Sequence, residues 1–143
     1  MLVQQILGNK DAGVLTVAPG TPLSQVAALL TERRIGGVVV SSDGQTAEGI
    51  ISERDIVRLL AARGGGCLND DVADAMTKRV ETCGKDDTAD SVLQRMTDGR
   101  FRHMPVVENG KMIGIVTIGD LVKARLSELA MEKDALEGMI MGH

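Results

Sequence analysis

Aromatic side chains are almost missing from this chain: Phe101 is the only one, and tryptophan and tyrosine are absent. Single-stranded nucleic acid is held by stacking its bases on such rings, and a duplex is held by a basic surface. With a formal net charge of -4, neither is an expected partner. No apolar run reaches the ~18 residues that a membrane span needs. The first residues, Met1 to Leu7, also lack the positive start of an export signal, so a cytoplasmic protein without membrane contact is expected. Cysteine is equally scarce: Cys67 and Cys83 stand 16 apart with no companion Cys or clustered His, which excludes a zinc signature and a disulfide framework. Cys83 is expected to be packed inside and Cys67 to be an exposed loop thiol.

What is present is an ordinary globular balance, 43% hydrophobic and 25% charged. At 143 residues and 15.1 kDa the chain fits one domain. It repeats itself. Val14-Leu15-Thr16-Val17 matches Val80-Glu81-Thr82-Cys83 at an offset of 66, each a short β-rich run. Leu23, Val26, Ala27 and Leu30 recur as Ala89, Val92, Leu93 and Met96, the spacing of one helix face, with Pro22 where a first-turn proline is tolerated. Ile35-Gly36-Gly37-Val38-Val39-Val40 parallels Phe101-Arg102-His103-Met104-Pro105-Val106 and is apolar enough for a strand buried on both faces. Pro105 should stand at the start of its strand or at an unpaired position.

Asp43-Gly44 and Asn109-Gly110 are dipeptides that favour type I′ hairpins, so an antiparallel third strand should follow each. Short apolar turns, Val3 to Leu7 and Val72 to Met76, lead the two halves. Arg63-Gly64-Gly65-Gly66-Cys67 reads as a flexible link. A half of roughly 60 residues buries too little surface to stand alone, so the two are expected to share a core. After Asp120, Leu121, Val122, Leu126, Leu129, Leu136 and Ile140 predict a helix of about five turns. It either packs on its own domain or meets a second copy through heptad-like positions interrupted by Lys133.

Each half closes on a glycine-led apolar strand and a hydroxyl-x-x-Asp phrase: Gly49-Ile50-Ile51-Ser52-Glu53-Arg54-Asp55, then Gly114-Ile115-Val116-Thr117-Ile118-Gly119-Asp120. The plain reading is a helix capping box. The alternative is a ligand site, because a helix start attracts phosphate and a carboxylate one turn on can accept from both hydroxyls of a ribose. Repetition behind an apolar strand supports the second reading.

In order, spacing and repetition these phrases, together with Arg102-His103-Met104-Pro105-Val106-Val107, resemble a tandem pair of cystathionine-beta-synthase (CBS) domains over residues 1 to about 125. The resemblance implies an α+β fold of two pseudo-twofold β-α-β-β-α repeats with a C-terminal helix. The expected divisions are 1–63, a linker at 64–71, 72–125, and an extension at 126–143. It also implies a regulatory module for adenosine-containing ligands of the AMP, ATP, NAD(H) or S-adenosylmethionine class, with no required cofactor and no metal. Asp55 and Asp120 would hold ribose. Ser52 and Thr117, with Arg54, Arg102 and His103, would meet phosphate. A base slot at strand edges would draw on Thr16, Thr82, Ile35, Gly37, Met104 and Pro105. Arg102 and His103 face Gly36 and Gly37 in the other half, and Arg54 faces Gly119, so the two clefts should differ in phosphate preference. Two copies are expected to associate as a homodimer that acts on another protein.

Catalysis is not expected. An enzyme would want an activated nucleophile beside a base or a metal cluster, and the only histidines are His103 and His143, the latter terminal and expected to be disordered. The alternative to a sensor is a dimeric scaffold whose clefts stay empty.

Overall fold

The structure is a computed structural model that describes residues 1–8 and 14–141; His143 lies outside the described residues. A short helix α1 (Val3–Gly8) precedes β1 (Thr16–Val17), α2 (Leu23–Arg33), β2 (Gly37–Val40), β3 (Gly49–Ser52) and α3 (Glu53–Arg63). A second short helix, α4 (Val72–Ala75), precedes α5 (Ala89–Gly99), β4 (His103–Glu108), β5 (Lys111–Thr117) and α6 (Ile118–Met141). In the first repeat β1 pairs parallel to β2, and β2 pairs antiparallel to β3. Every residue of β2 is buried, as its unbroken apolar run requires.

The second repeat keeps the antiparallel pair β4 and β5 but loses the strand expected at Val80 to Cys83. One parallel bridge, Cys83 to Val106, is what remains of it. Pro105 explains the loss. The carbonyl of Pro105 accepts from the Cys83 N–H at 3.0 Å, and the Val107 N–H donates to the Cys83 carbonyl at 2.8 Å. That edge of β4 therefore faces Cys83, and the proline nitrogen on the same edge has no hydrogen to give to the carbonyl of residue 81, two residues back. Its counterpart Val39 pairs with Thr16 in the first repeat. Pro105 itself is the third residue of β4, in register with Ile115.

The two halves do not share one core. Leu23, Val26, Val38, Val40, Ile51 and Val72 belong to one buried cluster. Val3, Ile6, Val92, Met104, Val116 and Leu121 belong to the other. Each cluster is completed by the leading turn of the opposite half, which is how halves too small to fold singly gain enough apolar cover. Val3 N donates to Asp87 O and Ala89 N to Met1 O, both at 2.9 Å. The same crossing recurs where Val72 N donates to Thr21 O at 2.9 Å and Leu23 N to Asp70 O at 3.0 Å. The motif glycines admit the crossing: a β-carbon on Gly49 would lie 2.1 Å from Met76 Sδ, and one on Gly114 would lie 2.6 Å from Leu7 Cδ2.

Three local expectations are corrected. Asn109 and Gly110 both have positive φ and make the tight turn, but in the first repeat only Gly44 does. There Asp43 organises a longer loop, accepting from the N–H groups of Thr46 and Gln45 at 2.7 and 2.8 Å and from the hydroxyls of Ser41 and Thr46 at 2.9 Å. Those backbone bonds first, then the hydroxyls, hold its carboxyl well below the usual range. The glycine link is an ordered 3-10 turn, Gly65–Asn69, closed by an Arg63 to Asp70 ion pair, and Cys67 within it is buried rather than exposed. The helix expected after Asp120 is present, and it is continuous with the second capping motif, running 24 residues from Ile118 to Met141. Its first three turns pack on its own domain, through Ile118, Leu121 and Ala124 and through Glu128, which accepts from the Met1 ammonium at 2.8 Å.

Two outcomes follow from this packing. Gly49→Val should destabilise the fold by about 1–3 kcal/mol in urea denaturation, the usual scale of overpacking. Adding Met76→Ala should recover part of that loss, and strict additivity would show the contact to be unimportant. Burial, aided by Asp87, pushes the Cys83 thiol up to about 11, and Cys67 is enclosed, so a disulfide reagent at neutral pH should label neither thiol until the protein unfolds.

Candidate ligand cleft between the repeats

Where β3 passes into α3, Ser52 caps the helix. Its hydroxyl accepts from Asp55 N at 3.3 Å and donates to Asp55 Oδ2 at 3.0 Å, while Ser52 N donates to the same Oδ2 at 2.9 Å. The capping box read in the sequence is therefore real. It engages one carboxylate oxygen and leaves Oδ1 facing Arg58 Nη1 at 3.5 Å. The second phrase folds the same way: Thr117 N donates to Asp120 Oδ2 at 2.9 Å and Asp120 N to Thr117 Oγ1 at 3.2 Å.

The Ser52 box opens into a cleft of about 450 Å3. One wall is the start of α3, with Arg54, Asp55 and Arg58. The opposite wall comes from the second repeat, in two stretches at 77–81 and 99–103. The 77–81 stretch is held over α3 because Thr77 and Ile50 exchange backbone bonds at 2.9 and 3.0 Å. Farther along, Arg95 Nη2 donates to Thr82 O at 2.9 Å and lies 3.6 Å from Glu81 Oε2. Arginines 54, 58, 79, 100 and 102 border the cleft against the carboxylates of Glu53, Asp55 and Glu81. Five positive groups against three negative ones make it a place for an anion, although the whole chain is acidic. The helix start contributes its dipole more than open donors, because Glu53 N is bonded to Gly36 O at 2.9 Å.

His103 sits at the pseudo-twofold axis. Its ring lies against Gly36 and Gly37, and a β-carbon on Gly37 would come within 3.0–3.1 Å of three ring atoms. Positions 37 and 103 are equivalent in the repeat, so the axis has room for one side chain. A side chain at position 37 would have to push the ring aside by a few tenths of an ångström. Arg100 is likewise in the left-handed region, at φ 57, as is its counterpart Arg34 at φ 55. For a residue with a β-carbon that conformation costs about 1–2 kcal/mol, and each arginine ends its helix there.

Of the residues expected at the site, Ser52, Arg54, Asp55, Arg102 and His103 border this cleft. Thr117 and Asp120 do not. By the repeat, the wall that would face them falls at 11–15 and 33–37, and 11–13 lie outside the described residues. The six residues of the expected base slot lie elsewhere. Met104 and Pro105 are buried with the second repeat, and Gly37 is covered by His103. Thr16 is in the β1 ladder, and Thr82 is bonded to Arg95 through its carbonyl. Ile35 packs against the first core. Sequence reasoning missed Arg58, Arg79, Val80, Arg100 and Phe101. Phe101, the lone aromatic, was the one visible signal among them.

The CBS domain family matches residues 10–62 and 72–127. The chain is 36% identical over 117 residues to the CBS domain-containing protein CBSX3, mitochondrial, of Arabidopsis thaliana, covering 79% of this chain and 57% of that protein. It thus spans little more than half the length of that relative. Among solved structures, the CBS-domain containing protein ATU1752 from Agrobacterium tumefaciens superposes with a TM-score of 0.84 at 42% identity, covering 87% of this chain and 99% of that one. CBS domain protein PAE2072 from Pyrobaculum aerophilum, solved with AMP, gives a TM-score of 0.77 at 26% identity over 92% and 99% of the two chains. The CBS domain pair of protein MJ0100, solved with 5-methylthioadenosine and S-adenosyl-L-methionine, gives 0.74 at 26% over 87% and 98%. No helix among the described residues is long and apolar enough to cross a membrane. With two matched repeats, two crossed cores and two capping boxes, the chain belongs to the CBS-domain family and is a CBS-domain pair.

Proposed function

We propose that this chain is a regulatory module that binds an adenosine-containing nucleotide in the cleft between its repeats and signals occupancy to another protein without catalysing a reaction. The observation that carries this reading is the Ser52 and Asp55 box standing in an arginine-rich cleft. Asp55 Oδ1 accepts from the ribose hydroxyls while Oδ2 keeps the cap. Arg54, Arg102 and His103 face the phosphate, with Arg100 beside them, and Ser52 turns its hydroxyl proton from Asp55 to the ligand. Ile50, Val80 and Phe101 offer the adenine an apolar surface in the same cleft. Thr117 and Asp120 take the corresponding roles in the second cleft.

Two similar structures hold adenosine compounds, AMP in one and a thioadenosine with S-adenosyl-L-methionine in the other. The adenosine part is what these ligands share, and it is what the carboxylate and the apolar surface would read. Neither thiol borders the cleft, and the side chains that do are suited to holding an anion rather than to forming a covalent intermediate. In this reading the protein is a cytoplasmic homodimer and needs no cofactor. A ligand changes its arrangement only so far as it binds one arrangement better than the other, and the number of phosphates among the arginines supplies that difference.

Calorimetric titration with AMP, ADP, ATP, NADH and S-adenosylmethionine tests the reading, and silence across the panel would favour the empty scaffold instead. Asp55→Asn should weaken binding about 10- to 150-fold, the ~1.5–3 kcal/mol of a hydrogen bond to a charged group. The amide oxygen can still accept from Ser52 N, so the helix cap and the melting temperature should change little. Full affinity in that variant would remove the ribose role. Arg102→Ala should reduce affinity for AMP about tenfold and for adenosine much less, with a weaker salt dependence for AMP. Equal losses for both ligands would place the arginine away from the phosphate.

A further inference from the structure

From Leu121 and Ala124, which are buried, α6 runs out beyond its domain. Along this outer part Val122, Leu126, Leu129, Leu136 and Ile140 are 44%, 62%, 44%, 58% and 77% exposed. With Lys133 they alternate at spacings of four and three, the seam of a coiled coil. An apolar stripe about 27 Å long in water is an interface without its partner. The charges flanking it identify that partner and its direction.

Against a second copy running parallel, Lys133 would meet its own counterpart, and Glu132 would face Glu137 of the other copy on both sides. Every charged contact would be repulsive. Running antiparallel, Val122 meets Ile140, Leu126 meets Leu136 and Leu129 meets Lys133, so all six seam positions are filled. Lys123 then faces Glu137 of the other copy twice, against one facing pair of Glu132 residues. Lys133 already reaches along its own helix to Glu137 Oε1 at 3.9 Å, which draws its ammonium to the flank and leaves its methylenes over the seam.

From this we infer that two copies of the chain associate through antiparallel pairing of α6 over residues 122–140. The inference deepens the homodimer of the reading above and is independent of nucleotide binding. A seam of under three heptads is short, so the dimer dissociates on dilution.

Sedimentation velocity of the whole chain over a concentration series tests this. The unmodified protein should be a dimer that dissociates on dilution, and Leu129→Glu, an exposed position, should weaken association more than about 50-fold without lowering the melting temperature. Lys123→Glu and Glu137→Lys should each weaken it about 3- to 10-fold, the scale of two rim pairs, and the double exchange should restore it. Ala130→Cys should be joined to its own counterpart by a short bis-maleimide, because these flanking positions meet only in the antiparallel arrangement. A monomer at every concentration would overturn both the homodimer and this interface. A dimer indifferent to Leu129→Glu would overturn the interface alone. A dimer that Leu129→Glu dissolves but Ala130→Cys does not crosslink would overturn the antiparallel direction. Nucleotide titration reports on the cleft separately in each case.

Discussion

The constraint on which the rest depends is the exchange of leading turns. Neither repeat encloses its own core: Val3 and Ile6 lie in the second cluster and Val72 in the first. Apolar cover and backbone bonds both cross between the halves, so neither half can leave without exposing the other. Gly49 and Gly114 permit it, since any side chain there would occupy the space of Met76 or Leu7. Because α4 is drawn across to β3, the residues after it are carried over the start of α3. The cleft is a by-product of that crossing.

Pseudo-symmetry then fails where geometry demands it. Two equivalent strand starts meet at the axis, and the His103 ring leaves little room for a β-carbon at Gly37. Pro105 removes one ladder hydrogen and with it a strand. Asp43 replaces a two-residue turn by a loop closed on its carboxylate. These differences make the two halves unequal in shape and in charge around the pseudo-twofold axis.

Capping the helix engages only one oxygen of the Asp55 carboxylate. Asp55 uses Oδ2 for the helix and presents Oδ1 toward Arg58 and the cleft. A group fixed by its own helix is preorganised, so little conformational freedom remains to be lost when a ligand arrives. Similar logic applies to Arg100, held at a helix end by a backbone conformation that glycine would adopt more easily.

Much of the fold was legible because local patterns carry it. The helix faces of α2 and α5, the buried run of β2, the Asn109-Gly110 turn and both capping boxes each depend on residues within a few positions of one another, where periodicity and turn chemistry act. The repeat made the pairing of halves visible, and part of the cleft with it: Ser52, Arg54, Asp55, Arg102 and His103. What only the tertiary structure decided involves contacts distant in sequence. The swapped turns, the burial of Cys67, the single bridge left at Cys83, and the presence of Arg79, Val80 and Arg100 in the cleft all arise where segments meet across the pseudo-twofold axis. A sequence pattern records which face of an element is apolar, but not which other element covers it, and that choice is made by packing the whole chain.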